Sequence, residues 1–257
     1  MHAPNPYRDR FDPEVWGLLH DGADAGPATW IFRRGMELAR EEWVARRSGA
    51  AGDASAAPWL DLGCGGGHLT AILAALGPVV GIDHDVRMLR LARGRRETSS
   101  AASGAPRPVL VVARAEALPL RARSVAGVAA VSLLGCLRDA TPLVREAARV
   151  LRPGGVFVLT ITNRASLLRR AERFVTLLGP SREAAGDPVR PYAYREIARA
   201  LADAGFAVER VRPYGFHLQL GARTLPSFTL SQALERRVGG VAGRILARNL
   251  LLVARRS

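Results

Sequence analysis

Between Pro58 and Leu76 an apolar run, an acid, a cluster of glycines and a helical pattern follow one another without a gap. The stretch reads Trp59-Leu-Asp-Leu-Gly-Cys-Gly-Gly-Gly67, with Asp61 in front of glycines at 63, 65 and 67. Glycine lacks a Cβ, so such a loop can turn tightly and let a ligand rest against the backbone. The helix predicted behind it, His68 to Leu76, aims free N–H groups at the same spot. A strand, a glycine loop and a helix in that order describe a nucleotide-type cofactor loop.

The chain beyond it alternates in the same way. Apolar runs at 58–62, 79–82, 109–112, 127–131 and 156–161 read as strands, with two more at 207–211 and 250–254. Helical patterns separate them at Val86 to Arg96, from Thr141-Pro142 onward, and from Tyr194 to Ala204. Asp85 and Thr141 are the predicted N-caps, Arg152-Pro-Gly-Gly155 is a helix stop, and residues 97–108 read as a surface loop. Strands that are apolar throughout and alternate with helices make a parallel sheet covered on both faces.

Ahead of this unit, Gly26-Pro27 opens a helix on which Phe32, Met36, Ala39 and Trp43 share one face. Residues 48–57 are a small-residue linker, so 1–57 reads as an N-terminal helical cap and 58–257 as the main domain. The net charge is +14, and every basic residue is arginine. The arginines are scattered, which describes a solvated basic surface or one that attracts an anionic membrane or an acidic carrier protein. Cys64 and Cys136 lie far apart without metal-type spacing, so no metal is expected. With no signal peptide at the N-terminus, the reading is a reduced, cytoplasmic protein.

Asp83 stands twenty residues past the first loop glycine, at the end of the second strand. A carboxylate there can accept two hydrogen bonds from a ribose diol. By that test a dinucleotide site survives, but position 68 is histidine where the dinucleotide fingerprint has its third glycine. S-adenosylmethionine has no pyrophosphate to place on the helix, and Asp61 supplies a charge suited to its cationic end.

Four segments in order, 60–68, Gly81-Ile-Asp-His-Asp85, Ala115-Glu-Ala-Leu-Pro119 and 146–155, resemble the class I S-adenosylmethionine-dependent methyltransferases. Within that class the chain looks most like the broad branch containing ubiquinone and menaquinone biosynthesis methyltransferases. The resemblance implies a Rossmann-like, doubly wound, mostly parallel seven-stranded α/β sheet whose last strand is antiparallel. It implies that Gly63, Cys64, Gly65 and Gly67 pass under the methionine and ribose, that Asp83 holds the ribose, and that His84, Ala115 and Glu116 surround the adenine. Ser132 completes the set at the exit of the fourth strand. Two positions depart from the family pattern. Arg114 stands where an aspartate commonly accepts from the adenine amino group, and Ser124-Val-Ala126 replaces Ser-Phe-Asp.

The methyl acceptor is less legible. A small-molecule or lipid-type acceptor, with oxygen as nucleophile, is the expectation. Its pocket would come from the N-terminal helices and the segments 163–191 and 212–248. Candidate bases are His217, Tyr192 and Tyr194, with His20 behind them. Leu167, Leu168, Ala171, Phe174, Val175 and Leu178 follow helical spacing among arginines, as in a cap helix or one lying on anionic membrane. An RNA methyltransferase would suit the charge, yet no Asn/Asp-Pro-Pro-Tyr/Phe motif follows the fourth strand, which argues against nucleic acid. A catalytically weak cofactor-binding module is the remaining alternative.

Overall fold

The computed structural model describes residues 27–47, 57–103, 107–178, 189–220 and 223–257. His20, residues 48–56 of the linker, and 179–188 of the first insertion lie outside the described residues.

Seven strands form one sheet in the order β3-β2-β1-β4-β5-β9-β6. These are β1 (Trp59–Leu62), β2 (Val79–Asp83), β3 (Val109–Val112), β4 (Val125–Ala130), β5 (Leu151–Thr162), β6 (Phe206–Tyr214) and β9 (Asn249–Arg256). β1 to β5 pair in parallel, while β9 runs antiparallel between β5 and β6. The doubly wound sheet with its antiparallel last strand therefore stands as expected. A short hairpin, β7 (Leu218–Leu220) with β8 (Arg223–Leu225), is separate.

Helices α1 (Pro27–Arg47), α2 (His68–Ala74), α3 (Val86–Ser103), α4 (Thr141–Val150), α5 (Leu167–Leu178), α6 (Tyr194–Asp203), α7 (Phe228–Arg237) and α8 (Gly240–Leu246) complete the described chain. Apolar residues from both sheet faces close two cores. One contains Leu60, Ile82, Phe157 and Leu252, and the other joins Trp43 and Met36 of α1 to Trp59, Val158 and Val253. Trp43 and Trp59 meet with ring centroids 4.1 Å apart.

α1 is also tied to the sheet by charge. The Glu42 side chain, 1% exposed, takes Arg46, Arg210 and Arg212. Burial alone would raise its pKa, but Arg46 and Arg210 hold it below the usual carboxylate range. Arg34 reaches Glu235 of α7 at 2.8 Å.

Three local expectations are corrected. Residues 97–103 continue α3 instead of forming a loop, so the Ser and Ala there extend a helix that was already nucleated. Thr141 lies inside α4, and it is Asp139 whose carboxylate accepts from the Thr141 N–H at 2.9 Å. Arg152 to Gly155 belong to β5, where the pairing with β4 jumps from Val125↔Leu151 to Gly127↔Val156. The strand absorbs these residues as an irregularity because Gly154, at φ 74, takes a left-handed conformation. In α5, Leu167, Phe174 and Val175 are exposed and Leu168 packs on the core. Asp85 does cap α3, accepting from the Arg87 N–H at 2.8 Å.

Candidate active site

The strand order reverses between β1 and β4, and an open α/β sheet leaves a crevice at the carboxyl ends of the strands there. A cavity of about 230 Å³ occupies that position. Residues following β1, β2, β3 and β4 line it, and Phe32 of α1 forms part of its wall.

The loop after β1 takes its shape from positive φ at Gly63, Gly65 and Gly67, at 67°, 50° and 78°. A Cβ on Gly63 would lie 2.7 Å from Leu133 Cδ1, and one on Gly67 would lie 2.8 Å from Ala92 Cβ in α3. The turn therefore has neither the conformation nor the space for a side chain. Arg95 of α3 donates to the Gly66 carbonyl at 3.0 Å and holds the loop from the other side.

Asp83 organises the rim. One carboxylate oxygen accepts from the Gly65 N–H at 2.9 Å, and the other accepts from the Asp85 N–H at 2.9 Å. A carboxylate has about four lone-pair sites, so each oxygen keeps room for one more donor, which fits a vicinal diol. His84 sits 3.4 Å from Asp83, and that carboxylate raises the imidazole's pKa.

Of the predicted cofactor residues, Gly63, Cys64, Gly65, Asp83, His84, Ala115, Glu116 and Ser132 line the cavity. Gly67 does not, because it packs against α3. Asp61 does not either. It is 2% exposed beneath the loop and accepts from the Thr70 hydroxyl at 2.6 Å. Burial, with Asp83 nearby, pushes its pKa up to about 7 despite the Thr70 hydrogen bond. In this structure the Asp61 carboxylate therefore faces Thr70 and not the cavity.

Ser132 is left-handed at φ 58, and its N–H donates to Thr160 Oγ1 at 2.7 Å. A non-glycine residue held there costs on the order of 1–3 kcal/mol, a strain typical of functional sites. The cavity continues past Ser132 into an apolar wall of Phe32, Val131, Leu133 and Leu137. Cys136 also lines it, and burial raises its thiol to about 11, so it is no thiolate nucleophile at neutral pH. Sequence reasoning missed Phe32, Met88, Leu133 and Leu137 as lining residues. His68 was noted only as a first-turn residue of its helix, yet it also lines the cavity.

The proposed bases lie off this lining. The Tyr192 hydroxyl donates to the Leu137 carbonyl at 3.0 Å and so braces the wall. Arg244 covers the Tyr194 ring at 5.0 Å. His217 is fully buried, edge-on to a stacked Trp30–Phe228 pair at 5.3 and 5.5 Å. Neither ring nitrogen has a partner among the described residues, and burial lowers its pKa to about 4. Nearby, Arg248 Nε and Asn249 Nδ2 are likewise buried and unpaired among the described residues.

A crossover crevice, a glycine loop and an acid closing the second strand define an α/β protein that binds a nucleoside-type cofactor. Residues 60–159 match the family described as "Methyltransferase domain". The chain is 31% identical over 196 residues to a ubiquinone biosynthesis O-methyltransferase of Xanthomonas axonopodis pv. citri, covering 72% of this chain and 77% of that one. It is 31% identical to a malonyl-[acyl-carrier protein] O-methyltransferase of Methylococcus capsulatus, over 74% of this chain and 63% of that protein. Magnesium protoporphyrin IX methyltransferase from Synechocystis PCC 6803, solved with bound SAH, shares the fold at a TM-score of 0.66, with 17% identity and 98% coverage of both chains. The chain belongs to the class I S-adenosylmethionine-dependent methyltransferases, in the branch that includes the ubiquinone and menaquinone enzymes. It is a methyltransferase, and S-adenosylmethionine is its cofactor.

Proposed function

We propose that the chain methylates an oxygen atom of a small-molecule or lipid-type acceptor. The observation that carries this reading is His217: buried, neutral at physiological pH, and with both ring nitrogens unpartnered among the described residues. A buried imidazole without a hydrogen bond is costly, and one kept neutral can receive a proton from a hydroxyl. His217 lies off the cavity lining, in contact with α1, whose Trp30 packs on its ring and whose Phe32 lines the cavity wall.

When bound, the cofactor would supply the methyl group of its sulfonium, transferred in line to the acceptor oxygen with the neutral thioether as leaving group. The chain's part is to hold and exclude. Gly63, Cys64 and Gly65 offer a flat backbone for the methionine and ribose, and Asp83 takes the ribose hydroxyls. His84, Ala115 and Glu116 border the adenine, and Ser132 stands between the donor and acceptor ends. Asp61 and Gly67 act from behind by fixing the loop. Phe32 and Leu137, the latter braced by Tyr192, keep water from the reacting atoms. α1 of the N-terminal segment serves as a cap on the catalytic domain 58–257, and the described residues of 163–191 and 212–248 shape the acceptor side.

The names of the two relatives given above support an oxygen acceptor, as both are O-methyltransferases. The test is to incubate the protein with methyl-labelled cofactor and separated lipid, small-metabolite, RNA and protein fractions. Base-labile or ether-linked label in the lipid or metabolite fraction is expected. Label in RNA overturns the acceptor class. With an acceptor in hand, His217→Ala should lower kcat by about 10²-fold or more and leave cofactor affinity unchanged.

A further inference from the structure

A cap helix of a water-soluble protein turns its apolar stripe toward the core. α5 does the reverse. Leu167, Ala171 and Phe174 recur at the i, i+4, i+7 spacing of one helix face. Leu167 is 46% exposed, Phe174 65% and the adjacent Val175 49%. Arg170 and Arg173 are exposed along the same helix.

The surface extends beyond one helix. α5 packs along β7 and touches α8. On α8, Val241 and Ile245 repeat the exposed i, i+4 spacing, and Leu225 of β8 is exposed as well. Exposed Arg236 and Arg237 end α7. Among the described residues of 164–178 and 223–248 the only acids are Glu172 and Glu235. Both are already engaged, Glu172 with Arg248 and Glu235 with Arg34. The face therefore combines protruding apolar side chains with Arg170, Arg173, Arg236 and Arg237, none of which is ion-paired among the described residues.

We propose that this face seats the protein on an anionic phospholipid surface. The apolar side chains would enter the headgroup–acyl boundary and the arginines would meet lipid phosphates, as amphipathic interfacial helices do. A bilayer suits the side chains better than a folded partner does. They project from three separate elements, and a fluid boundary accommodates such projections without a matching shape. No helix among the described residues is long and apolar enough to cross a membrane, so the attachment is peripheral. It does not depend on which acceptor the enzyme methylates.

Co-sedimentation with phosphatidylcholine vesicles, with and without phosphatidylglycerol, tests this directly. The protein should bind the mixed vesicles, and binding should fall steeply with added salt. Phe174→Ser should weaken partitioning about tenfold or more, from the loss of one large apolar side chain. Arg170→Glu with Arg173→Glu should weaken it by about fivefold per site or more. Unchanged calorimetric titration with S-adenosylmethionine shows that each variant is folded. Equal binding to pure phosphatidylcholine, indifference to the substitutions, or no vesicle binding overturns the proposal. So does capture of an acidic acyl carrier protein in place of vesicles.

Discussion

The two ends of the sheet's carboxyl edge are shaped by different means. Over β1 to β4 the backbone does the work: three glycines at positive φ, Asp83 bonded to the Gly65 and Asp85 N–H groups, and Arg95 on the Gly66 carbonyl. Over β5, β9 and β6 the shape comes from side chains that reach between distant segments. Examples are Glu42 with Arg210 and Arg212, Arg34 with Glu235, and Glu172 with Arg248. A ligand of fixed shape can be met by fixed backbone. On the proposed acceptor side the shape rests on side-chain ties, which can be exchanged without rebuilding the sheet.

If that contrast is sound, the largest perturbation of the acceptor side should spare the donor side. Glu42→Ala leaves Arg210, Arg212 and Arg46 around an empty position on α1. Removing one partner of a buried ionic cluster costs about 3–5 kcal/mol, and partial exposure of the arginines favours the lower end. The urea midpoint should drop accordingly, while the folded fraction binds S-adenosylmethionine normally. An equal loss of cofactor affinity would erase the distinction between the two sides.

Gly67→Ala is the converse. The new Cβ would sit 2.8 Å from Ala92 Cβ at φ 78. Left-handed strain and overpacking together cost about 2–4 kcal/mol. Here stability and cofactor affinity should fall together, since the residue holds the loop against α3. A variant that is destabilised yet binds the cofactor normally would separate Gly67 from the site altogether.

The same contrast explains what the sequence disclosed. The donor side was legible because its chemistry is local: Asp61 to Gly67 are consecutive, and Asp83 closes the next strand. Even there, burial was not legible. Asp61 is bonded to Thr70 beneath the loop, and only the packed sheet shows which side of the loop a strand residue faces. Phe32 was read as one more residue on the apolar face of α1, yet it lines the cavity. On the acceptor side almost nothing is local. His217, Trp30 and Phe228 meet from three segments, and the outward turn of the α5 stripe has no signature in its spacing. The helical run over 97–103 was hidden by small polar residues, which suit loops and helix ends alike.

His217 sharpens the comparison through pH. Its pKa falls from 6.5 to about 4 on folding, so the unfolded chain binds the proton more readily. The stabilising contribution is present above pH 6.5 and is lost as pH falls through the folded value. Between pH 6.5 and about pH 5 the native protein should lose roughly 2 kcal/mol from this residue. His217→Phe should lack that segment of the acid stability curve and should not alter cofactor binding. An unchanged curve would show that His217 is hydrated or otherwise partnered in solution.

Asp83→Ala acts on the other end. Two charge-assisted hydrogen bonds to a ribose diol, worth about 1.5–3 kcal/mol each, should make S-adenosylmethionine at least tenfold weaker by calorimetry. Part of the effect comes through the Gly65 N–H, which loses its acceptor. Unchanged affinity would remove Asp83 from the cofactor site and leave the cavity without its polar anchor.

The smallest expected effect concerns Arg114, one of the two places where the chain departs from the family pattern. Arg114 stands where an aspartate commonly accepts from the adenine amino group, and arginine has no acceptor to give. Glu116 lines the same cavity, 3.4 Å from the Arg114 guanidinium. The pair is largely open to solvent, so its own attraction contributes little to stability. Its effect is to keep a carboxylate near the adenine edge. Glu116→Ala should therefore weaken S-adenosylhomocysteine by about 1 kcal/mol, roughly fivefold, while sparing an analogue whose adenine amino group is replaced by oxygen. Adding Arg114→Asp to that variant should restore the amino preference. If Glu116→Ala weakens both ligands alike, the carboxylate is shaping the loop and not reading the base. The donor side would then hold its adenine by backbone alone.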